Sequence, residues 1–236
     1  MKKRILVTGG TGRFGSILKG LKTNYEMLFP SKTTLDITNF RSIQKYIKLK
    51  KPNIVIHLAG LSRPMNIHDR QIQKSIDLNI IGTSNITKAC AEKNIKLVYF
   101  STNYVYPGIR GHYKESDGLL PINNYAWSKL GGECAVSMYK NSLILRITMT
   151  EKPFVHKKAF SNLKSNFMFH EDLTEILPKI LNKKGIINIG GPSQSVYSFA
   201  KKFNPKVKKI YAKKNLHLPL NQTMKLNKLK KILKKR

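Results

Sequence analysis

Short apolar runs alternate along this chain with longer stretches in which apolar residues recur at the helical period. The runs "RILVT", "YEMLF", "NIVIHLA", "LVYFS" and "SLILRI" predict five strands separated by amphipathic helices. Each run is apolar at consecutive positions, as strands covered by helices on both faces require. With right-handed crossovers, this order predicts an α/β fold on a doubly wound parallel sheet, its ligand crevice at the carboxyl ends of the strands. The alternation loosens after "LRITMTEKPFVHKKAF", which places a boundary near Thr150 and predicts two parts, 1–150 and 151–236.

Composition limits the setting. A chain of 236 residues with 41% hydrophobic content suffices for one large or two small cores. Cys90 and Cys134 have no partner at ligand spacing, so neither a disulfide framework nor a metal site is expected, and a cytoplasmic setting fits. No apolar run approaches the roughly 20 residues of a membrane span, and "MKKR" leads directly into a strand, so a soluble protein without membrane insertion is expected.

The formal charge of +32 points the other way, towards a polyanionic partner. No acidic residue follows Glu175, while lysines continue through Lys201, Lys202, Lys208, Lys209, Lys213, Lys214 and "LKKILKKR". Lysine filling solvated faces explains this more simply than a nucleic-acid surface. Nucleic acid therefore stays a minor expectation.

Chemistry enters at "TGGTGRFG", between the first predicted strand and "SILKGL". Gly9, Gly12 and Gly15 form a G-x-x-G-x-x-G turn. Missing side chains let the backbone turn sharply, let a pyrophosphate approach the amides at a helix start, and let helix and strand pack closely. In a strand-turn-helix context this predicts a dinucleotide site. In "YAWSK", Tyr125 and Lys129 are four apart and share one helix face. An ammonium beside a phenol favours the phenolate and turns tyrosine into a usable acid-base group.

Further landmarks follow in order: "LDITN" around Asp36, "KPNIVIHLAG", "DLNIIGTSNITKAC", "LVYFSTNYVYPG" and "PINNYAWSKLGGE". Together they cover about residues 1–150 and resemble the extended short-chain dehydrogenase/reductases, most of all the dTDP-4-dehydrorhamnose reductase branch. The resemblance implies a Rossmann-type NAD(P)-binding domain followed by a short substrate-binding lobe with a basic C-terminus. It implies catalysis by Thr102, Tyr125 and Lys129: Tyr125 protonates the substrate carbonyl oxygen, Thr102 hydrogen-bonds it, and Lys129 tunes Tyr125 and binds the nicotinamide ribose. Alignment selects Thr102 over Ser101, which then faces the backbone or the cofactor.

Cofactor contacts implied by the same resemblance are Gly9, Thr11, Gly12, Arg13, Phe14, Gly15, Lys32, Asp36, Leu58, Ala59, Gly60, Asn79 and Ser101, with Tyr125 and Lys129. Two of these neighbourhoods have plainer readings. Asp36 can cap the helix beginning near Asn39, and His57 can be a packed strand residue. After the second strand, "FPSK" carries no acidic residue, and Ser31, Lys32 and Arg13 suit a 2′-phosphate, so NADP(H) is expected over NAD(H).

The implied activity is reduction of a keto group on a nucleotide-activated deoxysugar, serving surface polysaccharide precursor synthesis. A nucleotide-sugar epimerase and a non-catalytic NAD(P)-binding module with a basic face for nucleic acid are the alternatives. Asn103 and Tyr104 stand where dehydratases of the superfamily commonly carry an acidic pair, which weighs against dehydration. Arg146, Lys157 and Lys158 are candidate diphosphate contacts, and His170, Glu171 and Asp172 are expected to begin a helix structurally. The resemblance further implies a homodimer packed through the helix carrying "YAWSK".

Overall fold

The computed structural model describes residues 2–213 and 218–234; Lys214, Lys235 and Arg236 of the basic segment lie outside the described residues. The chain begins β1 (Arg4–Thr8), α1 (Arg13–Leu18), β2 (Glu26–Leu28), α2 (Phe40–Lys50) and β3 (Ile54–His57). Short helices α3 (Ile67–Arg70) and α4 (Ile72–Ser75) lead through a π-helical turn, Ile76–Ile81, into α5 (Gly82–Glu92). Then come β4 (Lys96–Thr102), α6 (Asn124–Ser137), β5 (Ser142–Ile147) and β6 (Met149–Thr150). The remainder is β7 (Lys158–Phe160), β8 (Lys164–Ser165), β9 (Met168–Phe169), α7 (His170–Ile180) and β10 (Gly185–Ile189). It closes with β11 (Gln194–Ser195), α8 (Val196–Phe203), β12 (Lys208–Ile210) and α9 (Asn227–Lys234).

Six strands form the central parallel sheet in the order β10-β5-β4-β3-β1-β2. The direction of winding reverses between β1 and β3, where Leu6 pairs with Val55 and Thr8 with His57. That reversal opens the crevice of a doubly wound sheet. The five apolar runs all lie in this sheet, and the sixth strand, β10, comes from "GIINI" near residue 187. Ile5, Leu6, Val7, Val55, Ile56, Leu97 and Val98 are buried at consecutive positions, as a sheet covered on both faces demands. Helices α2 and α6 start at sequence-encoded caps: Asn39 Oδ1 accepts from the Ser42 amide at 3.1 Å and Asn123 Oδ1 from the Ala126 amide at 2.8 Å.

The chain divides into two compact units, and neither is one continuous segment. The first comprises 1–101, 123–145 and 181–185; the second comprises 102–122, 146–180 and 186–236. The anticipated boundary at Thr150 falls inside a stretch of the second unit.

The second unit has its own core, in which Phe154, Phe169 and Phe199 pack with Ala159, Ala200 and Val207. The same unit carries a buried polar network. Asn188 Nδ2 donates to the Tyr113 carbonyl at 2.9 Å, and its Oδ1 accepts from the Tyr106 hydroxyl at 2.8 Å. Arg146 Nη1 donates to Tyr106 Oη at 2.9 Å and to the Glu115 carbonyl at 3.1 Å. Arg146, a diphosphate candidate in the sequence, is thus a buried network residue. Lys157 and Lys158 are exposed. At the start of α7, Asp172 Oδ2 accepts from the Phe169 amide at 2.8 Å, the structural role expected of that segment.

Asn188→Ala strips the Tyr113 carbonyl of this buried donor. Urea unfolding should show a loss of roughly 1–3 kcal/mol, and an unchanged midpoint would show that the network does not support the fold.

Candidate active site

Within the first unit, β1 ends at a turn whose glycines are enforced by close backbone approach. Gly9 sits at φ +73°, and a Cβ there would come within 2.6 Å of the Ala59 amide nitrogen; one at Gly15 would come within 2.5 Å of the Gly9 carbonyl oxygen. The Gly12 amide donates to that same carbonyl at 2.9 Å. Among the described residues, no side chain caps α1 at Gly12, and its first turn carries no acidic residue. This is a cradle that excludes side chains and leaves positive helix-terminal charge for a phosphate, so the residues present fit a dinucleotide.

Thr11, Gly12 and Arg13 are exposed in this turn. The Arg13 guanidinium donates to Ser62 Oγ at 3.0 Å. Phe14 is buried with its ring 5.5 Å from that of Phe100, which makes it the anchor of α1 on β4. Lys32 is exposed, next to Ser31, whose hydroxyl pairs with Thr33 and Thr34 at 2.7 and 2.9 Å. The Asp36 carboxylate accepts from the Thr38 amide at 2.9 Å and hydroxyl at 2.8 Å, and these bonds, with a smaller contribution from Lys32, hold it below the usual carboxylate range. Asn39 is the cap of α2, so Asp36 closes the preceding turn.

At the end of β3 the Leu58 amide donates to the Thr8 carbonyl at 3.2 Å and the Ala59 amide to Thr8 Oγ1 at 3.3 Å. Asn79 then clamps the segment beyond exposed Gly60. Its Oδ1 accepts from the Leu61 amide at 2.7 Å, and its Nδ2 donates to the Leu61 carbonyl at 2.9 Å and to Ser128 Oγ at 2.8 Å. Asn79 lies in the π-helical turn, a local rewinding that redirects side chains and recurs at functional sites. His57 is fully packed: Nδ1 pairs with Thr8 Oγ1 at 2.7 Å and Nε2 with Thr83 Oγ1 at 3.0 Å. Burial first, and then the Lys129 charge, push its pKa down to about 3.

On α6, Tyr125 and Lys129 stand one turn apart. The Tyr125 ring lies 5.1 Å from that of His68. The Lys129 ammonium sits 4.2 Å above the Tyr99 ring, and the Tyr99 hydroxyl donates to the Lys129 carbonyl at 3.0 Å. Burial pushes the Lys129 pKa down to about 7, opposed by the charge of Glu133. Ser101 points to α6, donating to Glu133 Oε2 at 2.7 Å. In the second unit, Thr102 is buried in extended backbone, and its Oγ1 accepts from the Tyr104 amide at 3.3 Å. Glu133, Tyr99, Ser128 and His68 are absent from the sequence-derived set. Only Glu133 carried a signal there, one turn after Lys129 in "SKLGGE".

Among the described residues, no group of three His, Cys, Asp or Glu residues could hold a metal, and no helix is long and apolar enough to cross a membrane.

The sheet order, the glycine turn and the Tyr-x-x-x-Lys face define a Rossmann-type fold of the short-chain dehydrogenase/reductase kind. Residues 2–163 match the RmlD substrate binding domain family, and the chain belongs to that family. It is 32% identical to dTDP-4-dehydrorhamnose reductase of Aggregatibacter actinomycetemcomitans over 152 residues, 62% of this chain and 51% of that protein. It is 32% identical over 143 residues to methionine adenosyltransferase 2 subunit beta of Xenopus laevis, 57% of this chain and 42% of that protein. The chain spans about half the length of these curated relatives. The crystal structure of Bacillus anthracis dTDP-4-dehydrorhamnose reductase in complex with NADP superposes with a TM-score of 0.88 at 26% identity, covering 98% of this chain and 92% of that one.

Because His57 is held neutral in the fold while an unfolded imidazole titrates near 6.5, its contribution to stability is complete above that pH and is lost as pH falls towards about 3. NMR of the imidazole should show no protonation between pH 8 and 5; a titration near 6.5 would contradict the packing described.

Proposed function

We propose that this chain is an NADPH-dependent reductase of a keto group on a nucleotide-activated deoxysugar, of the dTDP-4-dehydrorhamnose reductase kind. The observation that carries the proposal is the Tyr125 and Lys129 pair on one face of α6, with the Lys129 ammonium lodged on Tyr99, in a unit that also holds the side-chain-free cradle after β1. The Bacillus anthracis relative described above, solved with NADP, supports the choice of cofactor.

When bound, NADPH supplies the hydride. Tyr125 gives its phenolic proton to the substrate carbonyl oxygen, and the Lys129 ammonium stabilises the phenolate left behind. Thr102 donates its hydroxyl proton in a hydrogen bond to that oxygen as charge develops on it. Lys129 would also bind the ribose hydroxyls, and the turn from Gly9 to Gly15 would take the pyrophosphate. Ser31 and Lys32 beyond β2, with Arg13 from the glycine turn, would accept the 2′-phosphate, and the "FPSK" segment carries no carboxylate to repel it.

The enzyme acts in the cytoplasm on precursors of surface polysaccharide. It works as a homodimer packed through α6, where the Trp127 side chain is 51% exposed. A second reading has one observation behind it, the match to an adenosyltransferase subunit: a cofactor-binding subunit that performs no reduction itself.

The test is NADPH oxidation on addition of dTDP-4-dehydro-L-rhamnose. Wild type should turn over with a higher kcat/KM for NADPH than for NADH. Tyr125→Phe should lower kcat by about 100-fold or more while binding NADPH normally. Cofactor binding without oxidation would favour the subunit reading, and no cofactor binding would overturn both.

A further inference from the structure

Glu133, in the first unit, is 2% exposed. A carboxylate is retained in such a place only when hydrogen bonds and a nearby cation offset the loss of water. Both are present. Ser101 donates to its Oε2 at 2.7 Å, and Lys129 lies one turn earlier on the same face of α6.

We propose that Glu133 is a positioning residue, one that holds Lys129 in its charged form for Tyr125 and ties α6 to the end of β4 next to Thr102. This rests on the assignment of Tyr125 and Lys129 as the acid and its tuning group. A phenol is activated only by a protonated lysine, and the setting of Lys129 works against that state. Its ammonium is desolvated on the Tyr99 ring, and burial lowers its pKa. The charged and titratable groups around it are Tyr125 and Glu133 on its own helix, Tyr99 on β4, His57 on β3 and His68 on α3. Both histidines are held towards their neutral forms by burial, and burial also drives the Tyr99 phenol upward, keeping it neutral. Of these groups, Glu133 is the one whose charge opposes the effect of burial on Lys129.

The electrostatic role separates from a packing role by substitution. Glutamine matches glutamate in size and can still accept from Ser101, so Glu133→Gln removes the charge and keeps the shape. The readout is competitive acetylation of the full-length, cofactor-free protein with acetic anhydride across pH, followed by mass spectrometry of the peptide carrying Lys129. Wild type should give a protonation midpoint near 7. Glu133→Gln should lower it by about one pH unit, equivalent to a tenfold shift in the protonation equilibrium. Glu133→Asp, which keeps the charge but withdraws it by one methylene, should lower it less, and it serves as the probe if the glutamine variant does not fold.

A midpoint unmoved in the folded variants overturns the proposal. A midpoint that moves in a protein whose wild type oxidises no NADPH supports the role of Glu133 towards Lys129 and retires the reductase reading.

Discussion

The site depends on how Tyr99 fills the space between sheet and helix. Its side chain is fully buried on β4, its ring stacks 5.9 Å from His57 on the neighbouring strand, and its hydroxyl reaches the backbone of α6 at Lys129. One aromatic residue therefore fixes both the distance of α6 from the sheet and the surface on which the Lys129 ammonium rests. Burial keeps the phenol a neutral donor, so this contact does not change with pH in the physiological range. Tyr125, one turn earlier on α6, inherits its position from it.

Around this contact the first unit is organised by pairing polar groups that burial would otherwise leave costly. Thr8 and Thr83 take the two nitrogens of His57, Asn79 closes on the Leu61 backbone and Ser128, and Ser101 meets Glu133. Such networks are specific because each member is satisfied only in one arrangement. They connect the ends of β1 and β3, the π-helical turn and α6 around the glycine turn's flank of the sheet.

Much of this was legible in the sequence because its causes are local. Consecutive apolar positions marked β1, β3, β4 and β5, glycine spacing marked the turn, and a four-residue interval put Tyr125 and Lys129 on one face. What was hidden depends on contacts distant in the chain. Phe14 belongs by sequence to the turn, but its ring serves the core through Phe100. Arg146 looks like an anion ligand at a strand end, but is consumed by Tyr106 and the Glu115 backbone. Strand β10 comes from the segment assigned to the C-terminal lobe, since nothing local tells an edge strand of the central sheet from a strand elsewhere. The interleaving of the two units was hidden for the same reason.

The central claim is that hydride passes from NADPH to a sugar carbonyl that receives its proton from Tyr125. The most direct measurement uses NADPH carrying deuterium at both C4 positions of the nicotinamide, with dTDP-4-dehydro-L-rhamnose as substrate and mass spectrometry of the sugar product. The account predicts one deuterium retained on the carbon that bore the keto group, with stoichiometric oxidation of the cofactor. A product without deuterium, or a sugar rearranged with no net oxidation, would contradict it.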